Sequence, residues 1–496
     1  MGTIAMYERI DFLRSLARAL ALFGVAFLLG CPEGSESGEA GASIQSEAQE
    51  RAQLYLDVAL EAEAWIASTE QRTAEGVAWP DHAESPEVID TSLYHGTPGI
   101  VLFYLELHRT TGEKRFLETA VAGARDLAAR IEEELAAGHA SVALHGGLSG
   151  VAFVLAEAAS AADDETLRDL ARRIFRWARS QAQDLGAGIG WIEPMPFSEI
   201  HGKTGLTEVL DMTHGATGIG LAFLYAAESG LLPEAKGWAR AAGDRLLEMG
   251  EAVPGGLQWQ MVPVMPIDFN TPNFSHGTAG VAYFLARLYE VTGDARYLQG
   301  ALAGAERLKK IATVREQSEG PGKGTGRLIY HHEGAGENRY YLSWCHGPVG
   351  TGRLFHQLAK VTGDESWNEW LFGGLIGIQQ TGAPELRSEG FWNNISQCCG
   401  DAGVGELSLS LYAISHNAKH LAYAERIGHY LDQQKTAQEH GVCWIQAEHR
   451  SRPEFLKAHT GYMQGAAGVG SYLLRLHAMI LKRPDPKLHW PDSPFG

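Results

Sequence analysis

Apolar residues gather in short, nearly unbroken runs, and each run follows a glycine-rich turn. Val281-Ala-Tyr-Phe-Leu-Ala-Arg-Leu288 is one such run. The turns are His95-Gly-Thr-Pro-Gly99, Gly146-Gly-Leu-Ser-Gly150, His214-Gly-Ala-Thr-Gly218, His276-Gly-Thr-Ala-Gly280, His346-Gly-Pro-Val-Gly350, Cys399-Gly-Asp-Ala-Gly403 and Gln464-Gly-Ala-Ala-Gly468. These seven copies stand about 50 to 70 residues apart, a spacing typical of repeat architectures. A second punctuation often follows: Thr111-Gly-Glu-Lys-Arg-Phe-Leu, Thr292-Gly-Asp-Ala-Arg-Tyr-Leu and Thr362-Gly-Asp-Glu-Ser-Trp. There a glycine closes one helix and an acidic residue opens the next. The repeat unit reads as turn, apolar helix, short turn, amphipathic helix.

Helices apolar on most sides belong in an interior, and the glycines allow sharp entry and close backbone packing. The pattern predicts an all-α ring of seven helix pairs. Apolar helices form its inner layer, amphipathic helices its outer layer, and all seven glycine-rich turns lie at one end.

The ring gives meaning to the cysteines. Three of the five stand in two of the turns, Ser343-Trp-Cys345-His-Gly347 and Gln397-Cys398-Cys399-Gly400. Thiolates favour zinc among common divalent ions. Three protein ligands with one further position is the pattern of a catalytic rather than a structural zinc. Closure of the ring brings Cys345, Cys398 and Cys399 together with the turn histidines. Cys443, in Gly441-Val-Cys443-Trp, lies outside any turn and reads as a core thiol.

On these motifs the chain resembles the lanthionine synthetase C-like proteins, over roughly residues 50 to 480. The resemblance implies an α/α toroid of seven helix pairs. Trp344-Cys345-His346-Gly347 matches the family's Trp-Cys-x-Gly turn. Cys398-Cys399-Gly400 stands where Cys-His-Gly is usual, a variant that some members carry, so Cys399 takes the place of a histidine. Asp211-Met-Thr-His-Gly215 matches the motif of the active-site aspartate, and His276 the active-site histidine. Two departures stand out: Tyr341 occupies the place of a frequent arginine, with Arg339 nearby but not aligned, and His346 the place of a common tyrosine. The resemblance thus implies Zn2+ on Cys345, Cys398 and Cys399, with acid–base residues among His276, Asp211, His214 and His346. The implied reaction adds a thiol to a dehydroalanine or dehydrobutyrine of a peptide, forming a thioether. The implied partner is a peptide containing Cys and dehydroamino acids, or a small thiol. His95 occupies a turn position with no further support and reads as structural.

Composition refines this picture. Hydrophobic content of 45% and charged content of 20% are ordinary for a globular protein. A net charge of −19, with no basic stripe, argues against nucleic-acid binding. Arg9, Arg14 and Arg18 precede an apolar stretch over residues 19–30 that ends in Leu28-Leu-Gly-Cys31. That order is a secretory signal peptide with a lipobox-like end, in which Cys31 would carry the lipid. The expected organisation is a lipoprotein signal peptide over 1–30, a flexible tether over 31–48, the toroid over 49–485 and a C-terminal tail over 486–496. The expected product is a monomer, exported and membrane-anchored in a bacterial cell envelope. Two other function classes fit parts of the sequence. One is an exported, non-catalytic zinc-, thiol- or peptide-binding protein. The other is an α/α-toroid carbohydrate-active enzyme, which needs a close carboxylate pair, for which Asp211 and Asp401 are candidates.

Overall fold

Glycine sets where the inner helices begin. The structure, a computed structural model, describes residues 36–137, 140–197, 204–263 and 270–495. Fourteen helices lie among them: α1 (Glu36–Ser68), α2 (Thr97–Thr111), α3 (Lys114–Ala137), α4 (Leu148–Ala162), α5 (Glu165–Ser180), α6 (Ala216–Glu228), α7 (Ala235–Glu248), α8 (Thr278–Thr292), α9 (Ala295–Ile311), α10 (Pro348–Thr362), α11 (Ser366–Gln380), α12 (Asp401–Ser415), α13 (Ala418–Gln434) and α14 (Ala466–Ile480). Every even-numbered helix starts directly after a turn glycine, from Gly96 to Gly465. No other residue fits there. A Cβ on Gly277 would overlap the Thr271 carbonyl oxygen, and one on Gly280 that of Phe274.

The chain divides into two compact units, Met1–Glu50 and Arg51–Gly496. The signal-peptide segment and Cys31 lie outside the described residues. Residues 36–48, expected as part of a tether, are the first turns of α1. Their Glu, Ala, Ser and Gln residues tolerate a helix in spite of two glycines. Among the described residues no helix is long and apolar enough to cross a membrane.

The second unit holds the ring. The even-numbered helices α2 to α14 each pack on the next, and α14 packs on α2 to close the circle. They are apolar nearly all round: residues 97–107 of α2 and 401–411 of α12 are buried without a break. Helices α3, α5, α7, α9, α11 and α13 each pack outside the inner helix that precedes them. In α5 the buried positions are Leu167, Leu170, Ala171, Ile174, Phe175 and Ala178, one stripe of an amphipathic helix. The short turns between partners follow the expected chemistry. Gly112, Gly293 and Gly363 close inner helices with φ of 71–74°, a left-handed conformation that suits glycine. Asp164 and Asp294 then accept N–H groups of the next helix.

The seventh pair is made from both ends of the chain. Among the described residues no helix follows α14, and its outer partner is α1. His477 Nδ1 donates to Ala52 O at 2.8 Å, and Tyr55 Oη to Glu425 O of α13 at 3.1 Å.

Short strands supplement the all-α plan. Among the described residues they form eight two-stranded sheets, all antiparallel except Tyr340–Tyr341 with Phe391–Trp392. In three of the connections from an outer helix to the next turn, a buried tryptophan indole donates back to that helix. Trp191, Trp259 and Trp444 Nε1 reach Ala178, Leu246 and Leu431 O at 2.9, 2.6 and 2.8 Å.

A circle of backbone hydrogen bonds joins the seven turns, numbered here in chain order. Tyr94 N donates to His145 O, His145 N to Thr213 O, Met212 N to Ser275 O and Ser275 N to Cys345 O. Cys345 N donates to Cys398 O, Cys398 N to Met463 O, and Met463 N returns to Tyr94 O, with lengths of 2.9–3.2 Å around the circle. Tyr94, His145, Thr213, Ser275, Cys345, Cys398 and Met463 thus hold equivalent places, each followed by a rim residue: His95, Gly146, His214, His276, His346, Cys399 and Gln464.

Residues 486–495, read from sequence as a tail apart from the toroid, run inside it. Leu488 N donates to Glu106 of α2, and Lys487 pairs with Glu406 of α12 at 2.7 Å. Trp490 packs on His145, Phe153 and Tyr462. Asp492 pairs with Arg353 of α10 at 2.9 Å and accepts Trp344 Nε1 at 2.9 Å. Partners on helices all round the ring place the segment in the lumen. Its Leu488 and Trp490 bury apolar surface there, which favours this position over solvent.

Candidate metal centre

Because turns 5 and 6 are neighbours in the circle, their cysteines meet. Cys345 Sγ lies 3.2 Å from Cys399 Sγ, and Cys399 Sγ lies 3.5 Å from Cys398 Sγ. All three are buried and free of disulfides. A disulfide needs about 2.05 Å, whereas Zn–S bonds of about 2.3 Å in a tetrahedron set sulfurs about 3.8 Å apart. The spacing therefore fits three ligands of one metal ion, and the three sulfurs form a cluster able to hold one. Burial pushes the Cys345 and Cys398 thiols up, while hydrogen bonds from those two hold Cys399 well below the usual thiol range. A divalent cation is what lets three buried sulfurs ionise together.

Along the rim from this cluster stand the histidines. His346 follows Cys345, and its ring centroid lies 5.4 Å from that of His276, which lies 6.0 Å from that of His214. Asp211 is buried beneath them. Its Oδ2 accepts His276 Nδ1 at 2.6 Å and Thr213 Oγ1 at 2.9 Å, and its Oδ1 accepts His214 N at 2.7 Å. Burial alone would raise the Asp211 carboxyl, but His214 and His276 hold it well below the usual carboxylate range. Phe197, whose φ is 56°, stands edge-on to both histidines at 5.1 and 5.5 Å.

The structure thus gathers Asp211, His214, His276 and His346 on one side of Cys345, Cys398 and Cys399. Cys443 is elsewhere, buried on a hairpin with Gln438 Nε2 at 3.4 Å. Asp401 is tied to Arg387 at 2.7 Å and to Asn393, not to Asp211, so the carboxylate pair of a carbohydrate-active site does not form from these two. His95 is engaged by Glu448 at 3.1 Å. Burial opposes its charge, but Glu448 prevails and raises its pKa to about 9.

Three residues near the site, His331, Tyr94 and Gln464, were given no role by the sequence, and a fourth, Tyr341, stood out only as a departure from the family pattern. The His331 ring centroid lies 4.0 Å from that of His346, the two planes tilted by 31°, and that of Tyr341 lies 4.4 Å from His331. Burial and the neighbouring His332 and His276 lower the His331 pKa to about 3. The adjacent His331-His332 pair was a signal in plain view. Tyr94 Oη donates to Cys398 Sγ at 2.8 Å, and Gln464 Nε2 donates to Tyr94 Oη at 2.8 Å. Their signal was positional, since Tyr94 and Gln464 occupy turn places equivalent to Cys398 and Cys399.

A toroid of seven helix pairs with a three-cysteine cluster at its rim defines a class, and comparison with known proteins agrees. The family model for lanthionine synthetase C-like proteins matches residues 87–489. The chain belongs to the lanthionine synthetase C-like family. Among solved structures, nisin cyclase is 14% identical with a TM-score of 0.54, over 88% of this chain and 96% of that one. D-mannose isomerase is 11% identical, with a TM-score of 0.46 over 87% and 97%. A family 76 α-mannanase of Bacteroides thetaiotaomicron is 11% identical, with a TM-score of 0.45 over 86% and 96%. No curated protein sequence matches the chain.

Proposed function

We propose that this protein binds one zinc ion on Cys345, Cys398 and Cys399 and adds a thiol to a dehydroalanine or dehydrobutyrine in a peptide, forming a thioether. One observation carries the reading: three sulfurs converge on the same rim as a carboxylate-bound histidine. Zinc held there would offer its fourth position to a substrate sulfur and favour the thiolate.

The chain's own residues handle the proton. The new S–Cβ bond forms as the thiol loses its proton, and the Cα=Cβ electron pair moves towards the adjacent carbonyl. A proton then arrives at Cα, so the reaction is an isomerisation when both partners lie in one peptide. Asp211 holds His276 by Nδ1, which leaves Nε2 for the substrate and stabilises the imidazolium. His276 Nε2 is the proton donor to Cα in this reading. His214 shares the carboxylate through its backbone N–H and stands next in line. His346 is buried with Nδ1 unpartnered, and burial together with His331, His276 and His332 keeps it neutral. It suits a hydrogen-bonding role towards a substrate amide. The likeness to nisin cyclase supports a ring-forming reaction on a peptide.

The test uses the full chain and a dehydrated peptide that retains a cysteine. Cyclisation conserves mass, so remaining thiols are alkylated and the adducts counted. Thiol loss that disappears with a chelator and returns with zinc is expected. No metal-dependent thiol loss with any dehydrated peptide or small thiol would remove the reading.

A further inference from the structure

Three thiolates on a divalent ion leave a net charge of −1, and a substrate thiolate in the fourth position makes it −2. The ligands are buried, with Cys345 4%, Cys398 2% and Cys399 6% exposed. A concentrated negative charge is costly in such a place unless hydrogen-bond donors reach the sulfurs.

Tyr94 is such a donor. It comes from turn 1, reaches past turn 7, and places its hydroxyl 2.8 Å from Cys398 Sγ. The direction of that hydrogen bond is fixed by Gln464, which donates to the Tyr94 oxygen at 2.8 Å and so leaves the phenol proton for the sulfur. Gln464 Nε2 is also 4.0 Å from Cys399 Sγ. Three features hold the phenol in place. Its backbone N–H and C=O both belong to the circle that joins the turns. Its ring stands edge-on to His95 at 4.6 Å. His95 is in turn held by Glu448.

We propose that Tyr94 is a positioning residue of the metal centre. Resting on the zinc reading above, its hydrogen bond draws charge from Cys398, so that a centre with three thiolates still takes up a fourth, anionic sulfur. Gln464 orients the phenol for that purpose. The role is particular to a centre in which Cys399 adds a third negative charge.

The experiment replaces zinc by Co2+ in the full chain and compares wild type, Tyr94→Phe and Gln464→Leu. Thiolate-to-cobalt absorption reports how electron-rich the sulfurs are. Tyr94→Phe should bind one Co2+, keep its thermal unfolding temperature within a few degrees, and show the thiolate band at lower energy. Titration with 2-mercaptoethanol should show on the order of tenfold weaker thiol uptake, the scale of one hydrogen bond to a charged group. In turnover the loss should fall on KM rather than on kcat. Gln464→Leu should move both readouts in the same direction by less. An unchanged band and unchanged thiol affinity in a folded, metal-loaded Tyr94→Phe would overturn the proposal. So would loss of the metal from that folded variant, which would make Tyr94 a ligand. If wild type itself takes up no Co2+ or zinc, the metal reading falls and this inference falls with it.

Discussion

Turns 3 and 4 carry Thr213-His214 and Ser275-His276, while turns 5 and 6 carry Cys345-His346 and Cys398-Cys399. Both pairs of turns sit in one circle of backbone hydrogen bonds, and both begin helices by the same glycine geometry. In the first pair the circle places the Thr213 hydroxyl and two histidines over a buried carboxylate, joined to it by hydrogen bonds. In the second pair it places three sulfurs within 4.8 Å of one another, close enough to share one cation. The scaffold is therefore indifferent to the chemistry it holds. Backbone–backbone bonds fix the positions, and side chains at equivalent places are free to become ligand, acid or filler. Turn 2 shows the filler: His145 lies in the place of Cys345 but is buried against Trp344 and Trp490.

The sharpest way to break the comparison is at the sulfurs. Cys345→Ala, Cys398→Ala or Cys399→Ala should each remove most of the bound metal and abolish thioether formation. Cys443→Ala should keep both, as read by metal analysis and the alkylation assay. Metal loss from Cys443→Ala with retention in Cys399→Ala would show that the ligand set is wrong.

The next largest effect lies in turn 4. His276→Ala should slow thioether formation on the order of 10²-fold while the metal content stays at the wild-type level. If the rate holds, the proton comes from His214 or His346, and a parallel variant of each would find it.

The smallest effect concerns turn 1, where the rim histidine is paired with a carboxylate but stands outside the Asp211 group. His95→Ala should change kcat for thioether formation little, with a loss in thiol uptake smaller than that of Tyr94→Phe. Its partner Glu448 raises the His95 pKa to about 9, above the ordinary unfolded value of about 6.5. Stability from this pair is fully present below about pH 6.5 and is lost as pH rises through about 9. Denaturant unfolding at either side of that window should show wild type ahead of His95→Gln at the lower pH and level with it at the higher. The reverse order would mean that His95 is neutral in the fold.

Much of this was legible in the sequence because it is local. The apolar runs, the glycine at each helix start and the Thr-Gly-Asp breaks declare helix pairs without reference to anything distant. The two cysteine turns declare their chemistry because thiolates in repeated turns have few other uses. The neighbours of those sulfurs were less legible. Tyr94 and Gln464 look like ordinary turn residues until the circle sets them at places equivalent to Cys398 and Cys399. The eight short sheets were missed because their strands run only two to five residues and carry no sustained alternation.

The sequence by itself determined the repeat, the inner and outer character of its helices, and the set of residues able to bind a soft metal. These follow from side-chain periodicity and backbone sterics within a few turns of chain. Only the tertiary structure decided that α1 completes the seventh pair, that residues 486–495 fill the lumen, and that Tyr94 touches Cys398 across 304 positions of sequence. Each of these is a contact between distant segments. It exists because seven inner helices close on themselves, bringing the first turn beside the last and leaving an apolar interior to be filled.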